Sequence, residues 1–284
     1  MSQPGPLIHH VSDTALWAAI HRAKESERPD AQFRDPFARR LAGERGEQIA
    51  AGLAISEADS WSWMARTCLF DNLIAEAVQS GALMVVNLGA GLDTRPYRME
   101  WPDALTWVEI DLPGILDYKA EVLAADQPRC RLERIPLDLA DIEARRARFR
   151  SLGDRAQNIL VLTEGVLTYL TAEDVQKLAE DLAAVPAFRG WILDLASPGL
   201  LRMLRQRTQS QFGDGAPPLQ VAPDNGPEFF APYGWRAVDV QSLLQTAARL
   251  GRLPAAMQPL ALLPEDPVRM GQQPWSGVCR LVRT

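Results

Sequence analysis

Val86-Asn87-Leu88-Gly89-Ala90-Gly91-Leu92-Asp93-Thr94 reads as a strand that ends in a glycine-rich turn and leads towards a helix. Gly89 and Gly91 let the backbone approach a ligand closely, where a Cβ would collide. A dinucleotide fold would continue the spacing as GxGxxG and seat a pyrophosphate on the next helix N-terminus. Here the third glycine position is Thr94, followed by Arg95 and Pro96. That is a poor start for a phosphate-binding helix. It disfavours an NAD-dependent oxidoreductase and suits a nucleoside without phosphates.

Downstream of the turn, short apolar runs alternate with helical stretches. The runs are Leu83 to Leu88, Leu105 to Ile110, Leu132 to Leu137, Ile159 to Leu162 and Trp191 to Leu195, with Trp235 to Val240 and Val278 to Val282 as sixth and seventh strands. Helices are expected over Leu112 to Ala125, Ala140 to Leu152, Ala172 to Leu182 and Gln241 to Leu250. This alternation implies α/β architecture, parallel pairing and right-handed crossovers. Apolar strands without polar alternation suit a sheet covered on both faces. Upstream, residues 1–80 read as a helical cap. One helix spans Thr14 to Glu27, and a second begins near Pro36 with Asp35 as its N-cap. A third runs from about Glu57 to Ser80, with Ser56 and Asp59 as a capping box and Gly81 at its C-cap. Residues 81–284 form the sheet-bearing part, integrated with the cap into one domain. Pro198 to Phe230, rich in Gly, Pro and Gln, reads as an insertion or lid.

The strand ends carry the chemistry. Asp111 closes the second strand roughly 20 residues after the glycine turn, where an acid accepts both ribose hydroxyls. Alternation puts Glu109 on the same face, deeper in the sheet. Asp138 follows the third strand and could accept from an adenine amino group. Glu164 follows the fourth and is aimed into a cleft, where the ammonium of a methionine-like ligand would partner it. Turn, ribose, adenine and amine in that order fit S-adenosylmethionine. Each residue also has a plainer reading: Asp111 and Asp138 as helix caps, Glu164 in a structural salt bridge.

The 284 residues allow one large α/β domain. Thirty Lys and Arg against 36 Asp and Glu give a formal net charge of -6, which disfavours general nucleic-acid binding. Hydrophobic residues at 47% argue against disorder as the main state. No apolar run is long enough for a membrane span, and residues 1–10 lack signal-peptide regions. Cys68, Cys130 and Cys279 stand far apart, so neither a zinc site nor a disulfide framework is expected, and a cytoplasmic location is.

The segments Asn87 to Arg95, Glu109-Ile110-Asp111-Leu112-Pro113 and Glu164-Gly165-Val166-Leu167-Thr168-Tyr169-Leu170 resemble the leucine carboxyl methyltransferase family. Thr14-Ala15-Leu16-Trp17 and Arg34-Asp35-Pro36-Phe37-Ala38 are similar to its bacterial branch, which includes polyketide carboxyl O-methyltransferases. The resemblance implies a Rossmann-like class I methyltransferase fold: a seven-stranded, mostly parallel sheet, last strand antiparallel, under a helical N-terminal lid. It implies S-adenosyl-L-methionine as methyl donor and an oxygen acceptor. By motif match it places Gly89 and Gly91 at the methionine part, Asp111 at the ribose, Asp138 and Leu139 at the adenine, and Glu164 near the methionine end. Arg66 matches an arginine that binds the donor carboxylate. From the residues alone, Arg66 could instead pair with Asp71 along its helix.

Methyl transfer to a carboxylate needs no base, whereas a phenol usually does. His9, His10 and His21 are the only histidines. The catalytic residue stays unassigned, with Tyr169 and His21 as candidates and no metal expected. This scarcity favours a carboxylate of a small polyketide-like metabolite as acceptor, with Arg22, Arg202, Arg205 and Tyr169 as possible partners for it. Arg145, Arg146, Arg148 and Arg150 read as a solvated helix face. The alternatives are a protein C-terminal carboxylate as acceptor, or a noncatalytic donor-binding protein.

Overall fold

The computed structural model of the chain describes residues 11–52, 60–212, 218–269, 271 and 273–284. In chain order it holds α1 (Val11–Glu27), α2 (Ala38–Gly52), α3 (Trp61–Gln79), β1 (Met84–Leu88), α4 (Arg95–Arg98), β2 (Thr106–Asp111), α5 (Pro113–Val122), β3 (Arg131–Pro136), α6 (Ile142–Gly153), β4 (Ile159–Thr163), α7 (Ala172–Ala183), β5 (Phe188–Ala196), α8 (Pro198–Phe212), β6 (Trp235–Ser242), α9 (Leu243–Arg249) and β7 (Ser276–Arg283). The strands form one seven-stranded sheet in the order β3-β2-β1-β4-β5-β7-β6. Pairs among β1 to β5 are parallel, and β7 runs antiparallel to both β5 and β6. This is the class I methyltransferase architecture.

β1 and β4 are buried at every residue because period-two alternation sends their side chains into a core on either face, whereas the edge strands β3 and β6 are only partly buried. In β1, Met84, Val86 and Leu88 join one core with Phe149 and Leu152 of α6 and Val175, Leu178 and Leu182 of α7. Val85 points the other way, into a second core with Phe70, Leu73 and Ile74 of α3 and Ala247 of α9. Trp107, Trp191 and Trp235 are fully buried. Each contributes more than the roughly 1.5–3 kcal/mol usual for a buried aliphatic side chain. A third core unites Ala19 and Ile20 of α1 and Leu41 of α2 with Leu92 of the glycine turn, Tyr97 of α4 and Ile115 of α5. The N-terminal helices therefore sit on the turn itself.

Element boundaries follow local chemistry. Asp35 accepts the backbone N–H groups of Phe37 and Ala38 (3.1 and 3.0 Å), as an N-cap to α2 should. Gly81, at φ +100°, ends α3 in the left-handed conformation. The expected Ser56/Asp59 capping box lies outside the described residues, and α3 starts at Trp61 with Ser60 as N-cap. Asp141, not Asp138, caps α6, accepting from Ala144 N–H. Leu112 precedes α5 as its N-cap, so Asp111 does not cap that helix. The Pro198 to Phe230 stretch is less irregular than its composition suggests, since it opens with α8. Of the four arginines on α6, only Arg145 departs from a solvated face: it is buried against Asp181 of α7, whereas Arg146, which also binds Asp181, stays exposed with Arg148 and Arg150.

Beneath the turn, Glu109 and Lys119 are both fully buried and meet at 2.6 Å; Arg134 reaches the other Glu109 oxygen at 3.0 Å. Removing Lys119 leaves the buried Glu109 carboxylate with Arg134 alone, on one oxygen. Lys119→Met is expected to cost about 2 kcal/mol of stability, measured by urea denaturation.

Candidate functional site

The strand order reverses between β1 and β4, and such switch points open a crevice beyond the strand ends. Register fixes what lines it. Leu88 pairs with Ile110, Asp111 with Pro136, Asn87 with Leu162 and Thr163 with Leu193. One residue further along, Gly89, Asp111, Glu164 and Asp194 fall in a single row across the tips of β1, β2, β4 and β5.

At one end of this row Asp111 is pinned by two backbone donors. Gly91 N–H reaches its Oδ2 at 2.6 Å and Leu112 N–H its Oδ1 at 2.7 Å. The carboxyl makes no ion pair among the described residues. Burial raises its pKa, against the pull of those N–H groups. A carboxylate has about four acceptor sites, so two remain for vicinal hydroxyls. Gly91 has φ +47°, and a Cβ there would sit 3.4 Å from Ala15 of α1. Gly89 has φ +65°, and a Cβ there would lie 2.5 Å from Val166 Cγ2. The first obstacle to a side chain at Gly89 is thus the β4 loop, not a ligand. Leu137 N–H donates to the Asp111 carbonyl at 2.9 Å, which brings the loop after β3 alongside. Asp138 on that loop is exposed and accepts from Ala140 N–H; the Leu139 carbonyl accepts from Arg145.

The middle of the row is a charge cluster. Arg95, only 3% exposed, binds Asp71 (2.7 Å), Asp93 (3.1 Å) and Glu164 (2.8 Å). Arg98 adds a second cation on Asp71 at 2.6 Å. Burial opposes the Arg95 charge, yet Asp93, Glu164 and Asp71 together raise its pKa well above the ordinary value. Arg66 lies 3.3 Å from Glu164 and 3.2 Å from Asp194, with Trp63 beneath its guanidinium at 4.5 Å. It does not pair with Asp71, which lies five residues on, faces away along α3 and holds Arg95 and Arg98 of α4. Glu164 does have salt-bridge partners, two of them. Four carboxylates (Asp71, Asp93, Glu164, Asp194) face three guanidiniums (Arg66, Arg95, Arg98), leaving a formal charge of minus one.

Tyr169 follows β4 and bonds to Thr14 of α1; burial raises its phenol pKa, against the pull of that bond and of Arg66. His21 is buried, stacked on Trp63 at 5.0 Å, with Nδ1 3.2 Å from Ser60 Oγ. Arg22 is committed elsewhere, to Asp35 (2.9 Å) and the Leu92 carbonyl (2.6 Å). Arg202 and Arg205 are exposed on α8, and Arg205 holds the carbonyls of Leu219 and Gln220. The groove between β6 and α9, lined by Val240, Gln245 and Ala248, shares no residue with the crevice. Reading the sequence missed Arg95, Asp71 and Asp194 as parts of the site. Asp194 had a signal: an acid inside the apolar run Trp191 to Leu195.

The family profile for leucine carboxyl methyltransferase matches residues 15–183. The chain belongs to the leucine carboxyl methyltransferase family. A relative from Streptomyces avermitilis, provisionally named an S-adenosyl-L-methionine-dependent methyltransferase, is 33% identical over 258 residues, 84% of this chain and 87% of its own. One from Streptomyces coelicolor with the same provisional name is 31% identical and covers 89% and 90%. Among solved structures, a DUF574 family protein from Streptomyces avermitilis has a TM-score of 0.60 at 13% identity, covering 98% of each chain. A methyltransferase so named provisionally, from Thermobifida fusca, has a TM-score of 0.55 at 15% identity, covering 99% and 96%. Both share the fold. No helix among the described residues is long and apolar enough to cross a membrane, and no group of His, Cys, Asp and Glu there could hold a metal ion.

Asp93 supplies a pH test of the cluster. Burial pushes its pKa up, but Arg95, Lys119 and the Arg95 N–H overcome this and hold it at about 2. A lowered pKa stabilises the folded state above the unfolded value near 3.8 and loses that contribution as pH falls through about 2. Asp93→Asn should cost about 2 kcal/mol at neutral pH, and the gap to the parent should close between about pH 4 and pH 2 in acid-denaturation curves.

Proposed function

We propose that the crevice binds S-adenosyl-L-methionine and that the chain is an O-methyltransferase acting on the carboxylate of a small polyketide-like metabolite in the cytoplasm. The observation that carries this is the row of strand tips, where a Gly89/Gly91 turn, Asp111 and the Arg66–Glu164 pair stand side by side at the switch point. The residues fit the donor. Asp111 keeps acceptor sites for the ribose, Glu164 offers a carboxylate to an ammonium, and Arg66 a guanidinium to a carboxylate. Arg66 Nε is buried and makes no hydrogen bond, although Glu164 neutralises its charge. A net negative cluster suits a ligand that carries a sulfonium.

When bound, S-adenosyl-L-methionine supplies a methyl group activated by its positive sulfur. The protein's work is to hold the acceptor oxygen about 3–3.5 Å from that methyl, in line with the bond that breaks, and to exclude water. The acceptor oxygen gains the methyl, and the electron pair of the old bond stays on sulfur. A carboxylate acceptor then becomes an ester and no proton moves. The lining suits that case better than a phenol. Tyr169 has a raised pKa and keeps its proton at neutral pH, so it is a hydrogen-bond donor to an anionic acceptor rather than a base. His21 is packed between α1 and α3, its ring engaged by Trp63 and Ser60. α1, which carries Ala15 and Thr14 to the turn and to Tyr169, is the element that shields the site.

Asp111→Ala should weaken S-adenosyl-L-methionine binding at least tenfold in calorimetry while circular dichroism stays unchanged; unaltered affinity in the folded variant removes the ribose assignment. Incubation of the enzyme with methyl-labelled donor and a panel of aromatic acids and phenols should give label that mild alkali releases as methanol. Label that resists alkali would mark an ether and move the acceptor to a hydroxyl.

A further inference from the structure

Asp194 belongs to no motif that marks the donor site, yet the fold holds it with unusual care. It sits near the end of β5, among apolar neighbours, where burial works against its charge. Two groups hold it there. Gly165 N–H donates to Oδ1 at 2.7 Å, and Arg66 donates from Nη1 to Oδ2 at 3.2 Å. The first bond fixes the turn after Glu164, whose Gly165 has φ +68°. The second fixes a guanidinium that lies directly over that turn: a Cβ on Gly165 would be 3.3 Å from Arg66 Nη1. A carboxylate that only needed neutralising would not require both.

Arg66 itself is a long side chain with several rotatable bonds to immobilise. It is held on three sides, by Trp63 under its plane, Glu164 at Nε and Asp194 at Nη1. Trp63 is in turn backed by the parallel ring of His21, 5.0 Å away with an interplanar angle of 6°. The result is a guanidinium whose orientation is set before any ligand arrives. Glu164 cannot do this alone, because Arg95 takes its other oxygen at 2.8 Å.

We infer that Asp194 is a positioning residue that orients Arg66 and the Glu164–Gly165 turn towards the amino-acid end of the donor. This rests on the reading of the crevice as an S-adenosyl-L-methionine site and adds to it a residue which that reading does not require. The role is local to one half of the ligand. It acts on the carboxylate and ammonium and leaves the adenosine half, held at Asp111, untouched.

Two ligands separate the halves. S-adenosylhomocysteine carries both, whereas methylthioadenosine keeps the adenosine and lacks the amino-acid group. In Asp194→Asn the side-chain oxygen can still accept Gly165 N–H, but the charge that holds Arg66 is gone. By calorimetry on the full chain, this variant should lose about tenfold in affinity for S-adenosylhomocysteine and change less than about twofold for methylthioadenosine. Trp63→Leu, which removes the support beneath Arg66 and leaves Asp194 in place, should show the same selectivity and serves if Asp194→Asn does not fold. Asp111→Ala should weaken both ligands. Equal weakening of both ligands in Asp194→Asn, or no weakening of either, would show a merely structural carboxylate and overturn the assignment. A parent protein that binds neither ligand rejects the donor site itself, and the assignment falls with it.

Discussion

Arg95 is the charge on which the site is built. Its guanidinium is almost wholly removed from solvent, and a buried cation without partners costs several kcal/mol. Its partners come from three separate elements: Asp71 from α3, Asp93 from the glycine turn and Glu164 from the tip of β4. None can move without exposing part of that cost. The same residue is bonded through its backbone, N–H to Asp93 Oδ1 and carbonyl to Trp101 Nε1. Asn87 then takes the second Asp93 oxygen at 2.9 Å, carrying the constraint back into β1. The crevice floor is set by charge pairing, and the apolar cores on either side of the sheet supply the rigid frame in which such pairing holds.

The N-terminal helices are drawn into the same arrangement from outside. Asp35 caps α2 and also accepts from Thr94 Oγ1 at 2.7 Å, next to Arg95 in sequence. Arg22 bridges Asp35 to the Leu92 carbonyl. Arg252, after α9, pairs with Glu25 of α1, so the C-terminal third of the chain also holds the cap. The glycine turn is thus clamped between Arg95 beneath and α1 above. Its positive-φ residues are fixed on both sides, the kind of preorganisation that lowers the cost of ordering a ligand.

How much of this was legible in the sequence differs by level. All seven strands were, most clearly the central ones, whose apolar runs of strand length are flanked by turn residues; β3, with Arg131, Glu133 and Arg134, gives a weaker signal. Gly89, Asp111 and Glu164 were legible at strand tips, since each closes a strand or follows directly on its end; Asp194, inside β5, was not. Asp35 was legible as a cap, but its second bond to Thr94 spans 59 residues and leaves no local trace. Helix α8 was missed because Gly, Pro and Gln crowd the segment after it and colour the whole stretch. Arg145 reads as solvated because a run of arginines resembles an exposed face, and Arg146, Arg148 and Arg150 do lie on one. Asp181, which buries Arg145, lies on α7, and only the packing of α6 against α7 brings them together. Arg66 shows the same limit. Asp71 lies on the same helix, but five residues on it faces about 140° away from Arg66; α4 brings Arg95 and Arg98 to Asp71, and Arg66 reaches the β4 and β5 tips.

That division of the carboxylates bears on the chemistry. Had Arg66 paired with Asp71, it would lie along α3, and Glu164 would face Arg95 alone. Because Arg66 and Asp71 stand on different faces of α3, Arg66 lies over the Glu164–Gly165 turn while Arg95 and Arg98 hold Asp71, and the excess carboxylate of the cluster sits at the strand tips rather than in the core. On the proposed reading, the donor carries one net positive charge and the demethylated product none. An anionic site therefore holds the donor by a charge interaction that transfer of the methyl abolishes. The ion pairs that look purely structural around Arg95 thus decide where the site's negative charge stands, and through it which of the two sulfur ligands the crevice favours.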